Sequence, residues 1–489
     1  MKLQGVPEPK NPMLNHVVLE RVFELAEFNF ESFANYRLVC KQWYETSLPT
    51  WRKKTWLSVT ARSYDDGIPV ADYLQHLKSQ DHRLVNVPFR KYIICMWHNA
   101  FHDFEGKLEP EKLEFWKTVG QHITHLCIDF CSFHTTTNLR KILFEFTPNL
   151  QSLILSKNSY LDYGYNGQLQ NLEEEQEEVS LNVNSHLTEL KILETYGDFP
   201  ISWTDIIRSF PSIKSLQVIE LDPTKGTRSL ITLLKTVELL RIDNPHCLAN
   251  LVELRLLELE GNRRNTFTLE LATLLKRLQF PLKVLTLDVG AENDIFNVRQ
   301  ALQLVLEGYA ETLEELTFAK KVRSFQSHDF PYGINFPKLI KFSSTGGFVQ
   351  NLKFLKHMPN LELLHLEQNA GQIYLRHFGD YWSSLVLLNN LKEFKITAAS
   401  CTEKQIIFLG KMMPNLTNIT IGLRNKFSFK TLCRIWKDVK YLNIYTLNES
   451  EDAYWNSEKA YIQSNMKNLK NLKSLKIGES IIYGEGILS

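Results

Sequence analysis

From residue 121 onward one short pattern keeps returning: an apolar residue, two positions, an apolar residue, one position, an apolar residue. It reads "ITHLCIDFC" from Ile123, "LQSLILSKN" from Leu150, "LRLLELEGN" from Leu254 and "LELLHLEQN" from Leu361. Looser copies start at Leu187, Ile213, Val237, Leu282, Leu313, Leu339, Leu391, Leu416, Val439 and Leu472, which makes fourteen. Of the 28 positions that flank the single central residue, 27 are Leu, Ile, Val or Phe, and Ser344 is the exception. The central residue itself is polar in all copies but two, those of Cys127 and Ile154. Apolar–polar–apolar alternation held through so many copies means short strands with one face buried.

Between these strands the apolar spacing changes to three and four. "LRKILFEF" sets Leu139, Ile142, Leu143 and Phe146 on one helical face, and "VRQALQLVLEGY" and "EKQIIFLGKMM" behave likewise. Several such segments end in a proline, as in "TPNL", "FPSI", "FPKL" and "MPNL", which stops the helix and feeds the next strand. A single strand–helix unit cannot bury its own apolar side, so the units stack. Residues 121–489 thus resemble the leucine-rich-repeat family. That resemblance implies an α/β solenoid with a curved parallel sheet inside and helices outside.

Residues 12–54 have another texture. Val18, Val22 and Ala26, with Leu19 and Phe23 beside them, form one helical stripe, and Phe33, Tyr36, Val39, Cys40 and Trp43 form a second. Two stripes in some forty residues make a core too small to be comfortable alone, so a partner is expected to cover part of it. Here "LNHVVLERVF" followed by "SFANYRLVCKQWYETSLPTW" resembles an F-box, a small all-α module. Leu14, Val22, Phe23, Val39, Cys40, Lys41, Trp43 and Trp51 match its pattern, while its leucine-proline start reads Leu14–Asn15. The resemblance implies that Leu14, Val18, Leu19, Val22, Phe23, Phe33, Leu38, Val39, Cys40, Trp43 and Trp51 bind a Skp-type adaptor, and through it a cullin–RING ligase. The expected organisation is a tail (1–11), the F-box (12–54), a linker and aromatic cap (55–120) and the repeat domain (121–489).

Bulk properties set further bounds. The 489 residues carry 56 basic and 55 acidic side chains, a balance that disfavours bulk binding to nucleic acid or anionic membrane. No run approaches the ~18 apolar residues of a membrane span, and the start carries no secretory pattern. Seven scattered cysteines fit a reducing compartment, so a cytoplasmic or nuclear protein is expected. The acidic, tyrosine-rich stretch from Tyr160 to Ser180 reads as a solvated surface loop.

Catalysis finds little footing. Cys40 has Lys41 beside it but no near histidine, so a buried hydrophobic role outweighs a nucleophilic one. His122, His125, Cys127, Cys131 and His134 are the best metal candidates. In the repeat register Cys127 and Cys131 face opposite sides of the strand, and no metal or other cofactor is expected. The expected function is the one that the two resemblances together imply, and it is non-catalytic: a substrate-recognition subunit of an Skp–cullin–F-box ubiquitin ligase. The rival is a binding or inhibitor scaffold without ligase recruitment. Substrate contacts are expected on the outward strand column, at Arg241, Glu258, His365 and Lys395. A second column, of Asp129, Asp243, Glu260, Asp288 and Glu367, balances its charge and predicts a mixed polar groove.

Overall fold

The described residues of the computed structural model are 52–484, less 53, 61–67, 81–88, 96–109, 130–131, 134–138, 157–158, 161–182, 194–202, 221–227, 259–267, 289–294, 323–332, 347–351, 368–386, 446–453, 456 and 479. The F-box-like positions from Leu14 to Trp51, Cys131, His134, Glu260 and the loop to Ser180 lie outside them. The chain divides into two compact units, Met1–Lys214 and Ser215–Ser489.

In the first unit six strands form a parallel sheet: β1 (Trp56–Thr60), β2 (Ile68–Pro69), β3 (Lys91–Cys95), β4 (His125–Asp129), β6 (Ser152–Ser156) and β8 (Glu189–Leu193). Their order is β2–β1–β3–β4–β6–β8. Two short strands, β5 (Ser132–Phe133) and β7 (Ser159–Tyr160), pair separately. The connections carry helices α1 (Val70–Gln80), α2 (Pro110–Val119) and α3 (Trp203–Ser209), with a π-helical turn at Lys141–Phe146. One sheet face is buried through Tyr92, Ile94, Leu126, Ile128, Leu153, Leu155, Leu190 and Ile192. Behind it Tyr73, Tyr92, Phe115 and Trp116 pack edge to face, and the Tyr73 and Tyr92 hydroxyls share a 2.9 Å hydrogen bond. Rings in such edge contact satisfy their quadrupoles while excluding water.

The second unit carries β9 (Ser215–Glu220), β10 (Glu253–Glu258), β11 (Val284–Leu287), β12 (Glu315–Val322), β13 (Lys341–Gly346), β14 (Leu363–Glu367), β15 (Glu393–Cys401), β16 (Asn418–Leu423), β17 (Tyr441–Ile444) and β18 (Ser474–Ile477), paired in sequence order and parallel. A last strand, β19 (Ser480–Gly484), turns back antiparallel on β18. Helices α4 (Arg228–Asp243), α5 (Leu269–Leu278), α6 (Ile295–Tyr309), α7 (Glu403–Met412), α8 (Lys426–Ile435) and α9 (Lys459–Met466) lie in the connections. Parallel pairing requires such crossovers, and it buries the sheet face that the helices cover. Three of the described helices begin with side-chain caps: Thr268 on the Leu271 amide, Thr402 with Gln405 in a reciprocal capping box, and Asn425 on the Ser428 amide.

The turn before each strand shows why the sequence repeats "PNL". Leu150, Leu339 and Leu361 donate their amides to Thr147, Phe336 and Met358, three residues back. That places Pro148, Pro337 and Pro359 second in the turn, where a φ fixed near −65° fits. The asparagine that follows the proline bridges repeats. Asn149 donates to the Gln121 carbonyl at 2.7 Å, Asn360 to Pro337 at 2.7 Å and Asn415 to Asn389 at 2.8 Å. Asn390 does the same to Pro359 at 3.0 Å. Each bond ties the head of one repeat to the turn of the preceding one.

Three expectations need correction. The Val237 copy is helix, not strand. Leu230, Leu233, Leu234 and Val237 are buried at helical spacing in α4, while Leu239 and Ile242 are 66% and 77% exposed. The strand frame at Leu254 slides back by three residues. Leu254 and Leu256 are buried and Arg255 sits between Gln217 and Thr286, so the central residue is Arg255 and not Glu258. Finally, the ladder starts at Trp56, not at 121, because within the expected cap β1 pairs in register with β3 and β3 with β4.

Candidate protein-binding face

The sheet face away from the helices presents side chains in registered columns, and the central column is polar throughout the second unit. In the second unit the central column runs Gln217, Arg255, Thr286, Thr317, Ser343, His365, Lys395, Thr420, Asn443 and Lys476. In the first unit it runs Ser58, Ile93, Cys127, Ile154 and Lys191. Strands ~4.8 Å apart bring residues from distant parts of the chain into one row. All but Ser58, whose neighbour Leu57 is half-buried, are held there by buried neighbours on either side.

Of the four positions expected to meet substrate, His365 and Lys395 stand directly opposite each other. Glu258 ends β10, three residues beyond the central column. Arg241 belongs to α4 and leaves the face altogether. Its guanidinium donates to the carbonyls of Cys247 (3.0 Å) and Leu278 and lies 4.8 Å above the Phe280 ring. This is a clamp between the end of α4 and the end of α5, worth more as packing than as charge. Asp243 is likewise on α4.

A column that the sequence reading overlooked lies two residues before the central one. It holds Glu189 in the first unit, and Glu253, Glu315, Lys341 and Glu393 in the second. Its signal was visible as a glutamate just before the first inward residue, in "TELKI", "VELRL", "EELTF" and "KEFKI". These carboxylates meet the cations of the face. Lys191 bonds Glu189 at 2.8 Å, Arg255 bonds Glu253 at 2.5 Å and Lys341 bonds Glu315 at 3.0 Å. His365 Nε2 is 2.6 Å from Glu393, and Lys395 Nζ is 2.6 Å from Glu367. Burial alone would raise the Glu189 carboxyl. Hydrogen bonds from Lys191 and Ser152 instead hold it below the usual carboxylate range. The result is a mixed, largely neutralised polar surface at these strands.

The metal candidates are dispersed. His122 Nδ1 faces Arg90 at 3.1 Å and His125 Nδ1 faces Thr124 at 2.9 Å. Burial, with Asp129 and Cys95 adding to it, pushes the Cys127 thiol up to about 12. Among the described residues no three His, Cys, Asp or Glu side chains converge to hold a metal ion. The buried thiols Cys401 and Cys433 are also pushed up to about 12 by burial, which disfavours the nucleophilic thiolate.

No protein-family model matches the chain, and no curated protein matches it. Among solved structures it is similar to a crystal structure of the Rad7 and Elc1 complex in yeast, at 15% identity and a TM-score of 0.38. That match covers 86% of this chain and 94% of the other. What the coordinates show is a parallel α/β ladder of strand–helix repeats, the architecture expected of leucine-rich repeats.

Proposed function

We propose that this chain is the substrate-recognition subunit of an Skp–cullin–F-box type ubiquitin ligase. The observation that carries the reading is the order of two features. An F-box-like segment (Leu14, Val22, Phe23, Val39, Cys40, Lys41, Trp43 and Trp51) precedes a registered repeat face whose polar side chains are set by the strands. In this reading the chain does no bond chemistry. It holds a protein substrate near a ubiquitin-loaded enzyme, which raises effective concentration. It works in the cytoplasm or nucleus.

Asn15, where the family has proline, favours a second reading: a repeat scaffold that binds a protein without recruiting a ligase. Co-purification separates the two. The full chain is expected to bring down an Skp-type adaptor, and Trp43→Ala is expected to lose it. A folded chain that never recovers the adaptor supports the scaffold instead.

A further inference from the structure

At the head of the first unit's sheet the charge pattern breaks. Lys191, Arg255, Lys341, His365 and Lys395 each sit on a carboxylate. Lys91 does not. It shares a registered column with Trp56 and His125, and its Nζ lies 6.0 Å above the Trp56 ring. The Trp56 and His125 rings meet edge to face at 6.1 Å. Beside them Arg90 Nη1 donates to His122 Nδ1 at 3.1 Å and to the His122 carbonyl at 3.2 Å. Among the described residues neither Arg90 nor Lys91 has a carboxylate within ion-pair distance.

The hydrogen bonds fix which ring nitrogens are available. His122 accepts from Arg90 at Nδ1, so in the neutral ring Nε2 carries the hydrogen and can donate outward. The Thr124 hydroxyl donates to the Arg90 carbonyl at 3.2 Å, so it accepts from His125 Nδ1. His125 Nε2 then holds a lone pair that can take a proton. Among the described residues the carboxylate that acts on His125 is Glu189, two strands away. It is already engaged by Ser152 at 2.6 Å and by Lys191 at 2.8 Å.

We propose that Trp56, Arg90, Lys91, His122 and His125 form a docking surface for an acidic peptide segment of a protein partner, one carrying adjacent aspartates or glutamates. Charge complementarity selects the occupant: two cations with no carboxylate partner among the described residues, a donor Nε2–H and an indole face are gathered over three strands. Glu189 beyond β6 and Asp129 at the far end of β4 bound the patch. Three strands span only ~10 Å, room for two or three carboxylates and not for a nucleic-acid backbone. The surface rests on the proposed role as a substrate receptor, and it names the chemistry of the substrate segment.

Binding is coupled to proton uptake. Burial, then Arg90, holds His122 below its ordinary range, and burial, then Lys91, does the same for His125 against the opposing pull of Glu189. A bound carboxylate offsets Lys91 and raises His125 again, so affinity rises as pH falls through the histidine range.

The test uses the full chain and a fluorescein-labelled octaglutamate peptide, read by anisotropy at low salt, with octalysine and a short single-stranded RNA as comparisons. Octaglutamate is expected to bind, to weaken as salt rises, and to tighten between pH 7.5 and 6. Lys91→Glu and Arg90→Glu are each expected to weaken it at least about tenfold. Melting temperature is checked on both variants, and Lys404→Glu, an exposed position on the outer helix α7, serves as a control that leaves peptide binding intact. No binding to the parent chain, undiminished binding by the folded Lys91→Glu variant, or tighter binding of the RNA than of octaglutamate each overturns the proposal. The assay contains no adaptor, so a failure of ligase recruitment would leave its result unchanged.

Discussion

His365 Nε2 lies 2.6 Å from Glu393 Oε1, a diagonal contact between β14 and β15 that comes from residues 28 positions apart in the chain. Two residues further along, on a parallel diagonal, Lys395 reaches Glu367, and Asn418 on β16 adds a 3.3 Å bond to Glu393. Neighbouring strands are thus tied by parallel diagonal polar contacts. Changing Lys395 to Glu places a carboxylate against Glu367 and breaks this network. The cost to stability is expected to stay within about 1 kcal/mol, as for partly exposed ion pairs. Capture of substrate from a lysate is expected to fall while adaptor recovery holds. Paired pull-downs with a thermal melt check this, and equal loss of both partners would point to misfolding.

Arg241 makes the contrasting case. Replacement by Ala leaves the Cys247 and Leu278 carbonyls without their donor and uncovers Phe280, and is expected to cost about 1–3 kcal/mol. Substrate capture by the folded fraction is expected to be unchanged. Lys at this position keeps the charge but not the planar fork, so it should recover less than half of the loss. Urea unfolding of the three proteins measures it.

Gly410 in α7 packs against α8, and a Cβ there would overlap the Ile435 Cγ2 methyl. Glycine to alanine in a helix normally stabilises by ~0.5–1 kcal/mol. Here Gly410→Ala is expected to destabilise by about 1–3 kcal/mol through overpacking. Adding Ile435→Ala makes room and should return part of that loss, a coupling that a double-mutant cycle reads directly.

His122 and His125 give the fold a pH dependence with a definite sign. Both are lowered in the folded state, so between the unfolded histidine value near ~6.5 and their folded values the unfolded chain binds more protons. Their contribution is complete above that range and is lost as pH falls through it. Melting temperature is expected to drop from pH 7 to 5, and less steeply in a His122→Gln, His125→Gln double variant.

The alternation of apolar and polar residues made twelve of the strands legible in the sequence, down to their central residues, because a half-buried strand has no other way to be written. The helix of Val237 and the frame at Leu254 were misread for one reason. In "LLKTVELLRID" and "LVELRLLELEGN" leucines are dense enough to satisfy several templates, and only burial against neighbours chooses among them. Trp56 and Lys91 escaped notice because "WLSVT" and "KYIIC" lack the leading leucine, and the central residue of the second, Ile93, is itself apolar. The ion pairs were not legible at all, since Glu393 and His365 meet only after the register is set. The F-box-like stripes from Leu14 to Trp51 rest on sequence alone.

The unbroken register of the central column has a consequence for how such a chain can change. Ser343 and His365 are 22 residues apart and Gln217 and Arg255 are 38 apart, yet each pair stands side by side. Address on the face is therefore decoupled from distance along the gene product. Insertions and deletions between strands fall outside the ladder, so the outer layer can be rewritten in length while the inner surface keeps its spelling.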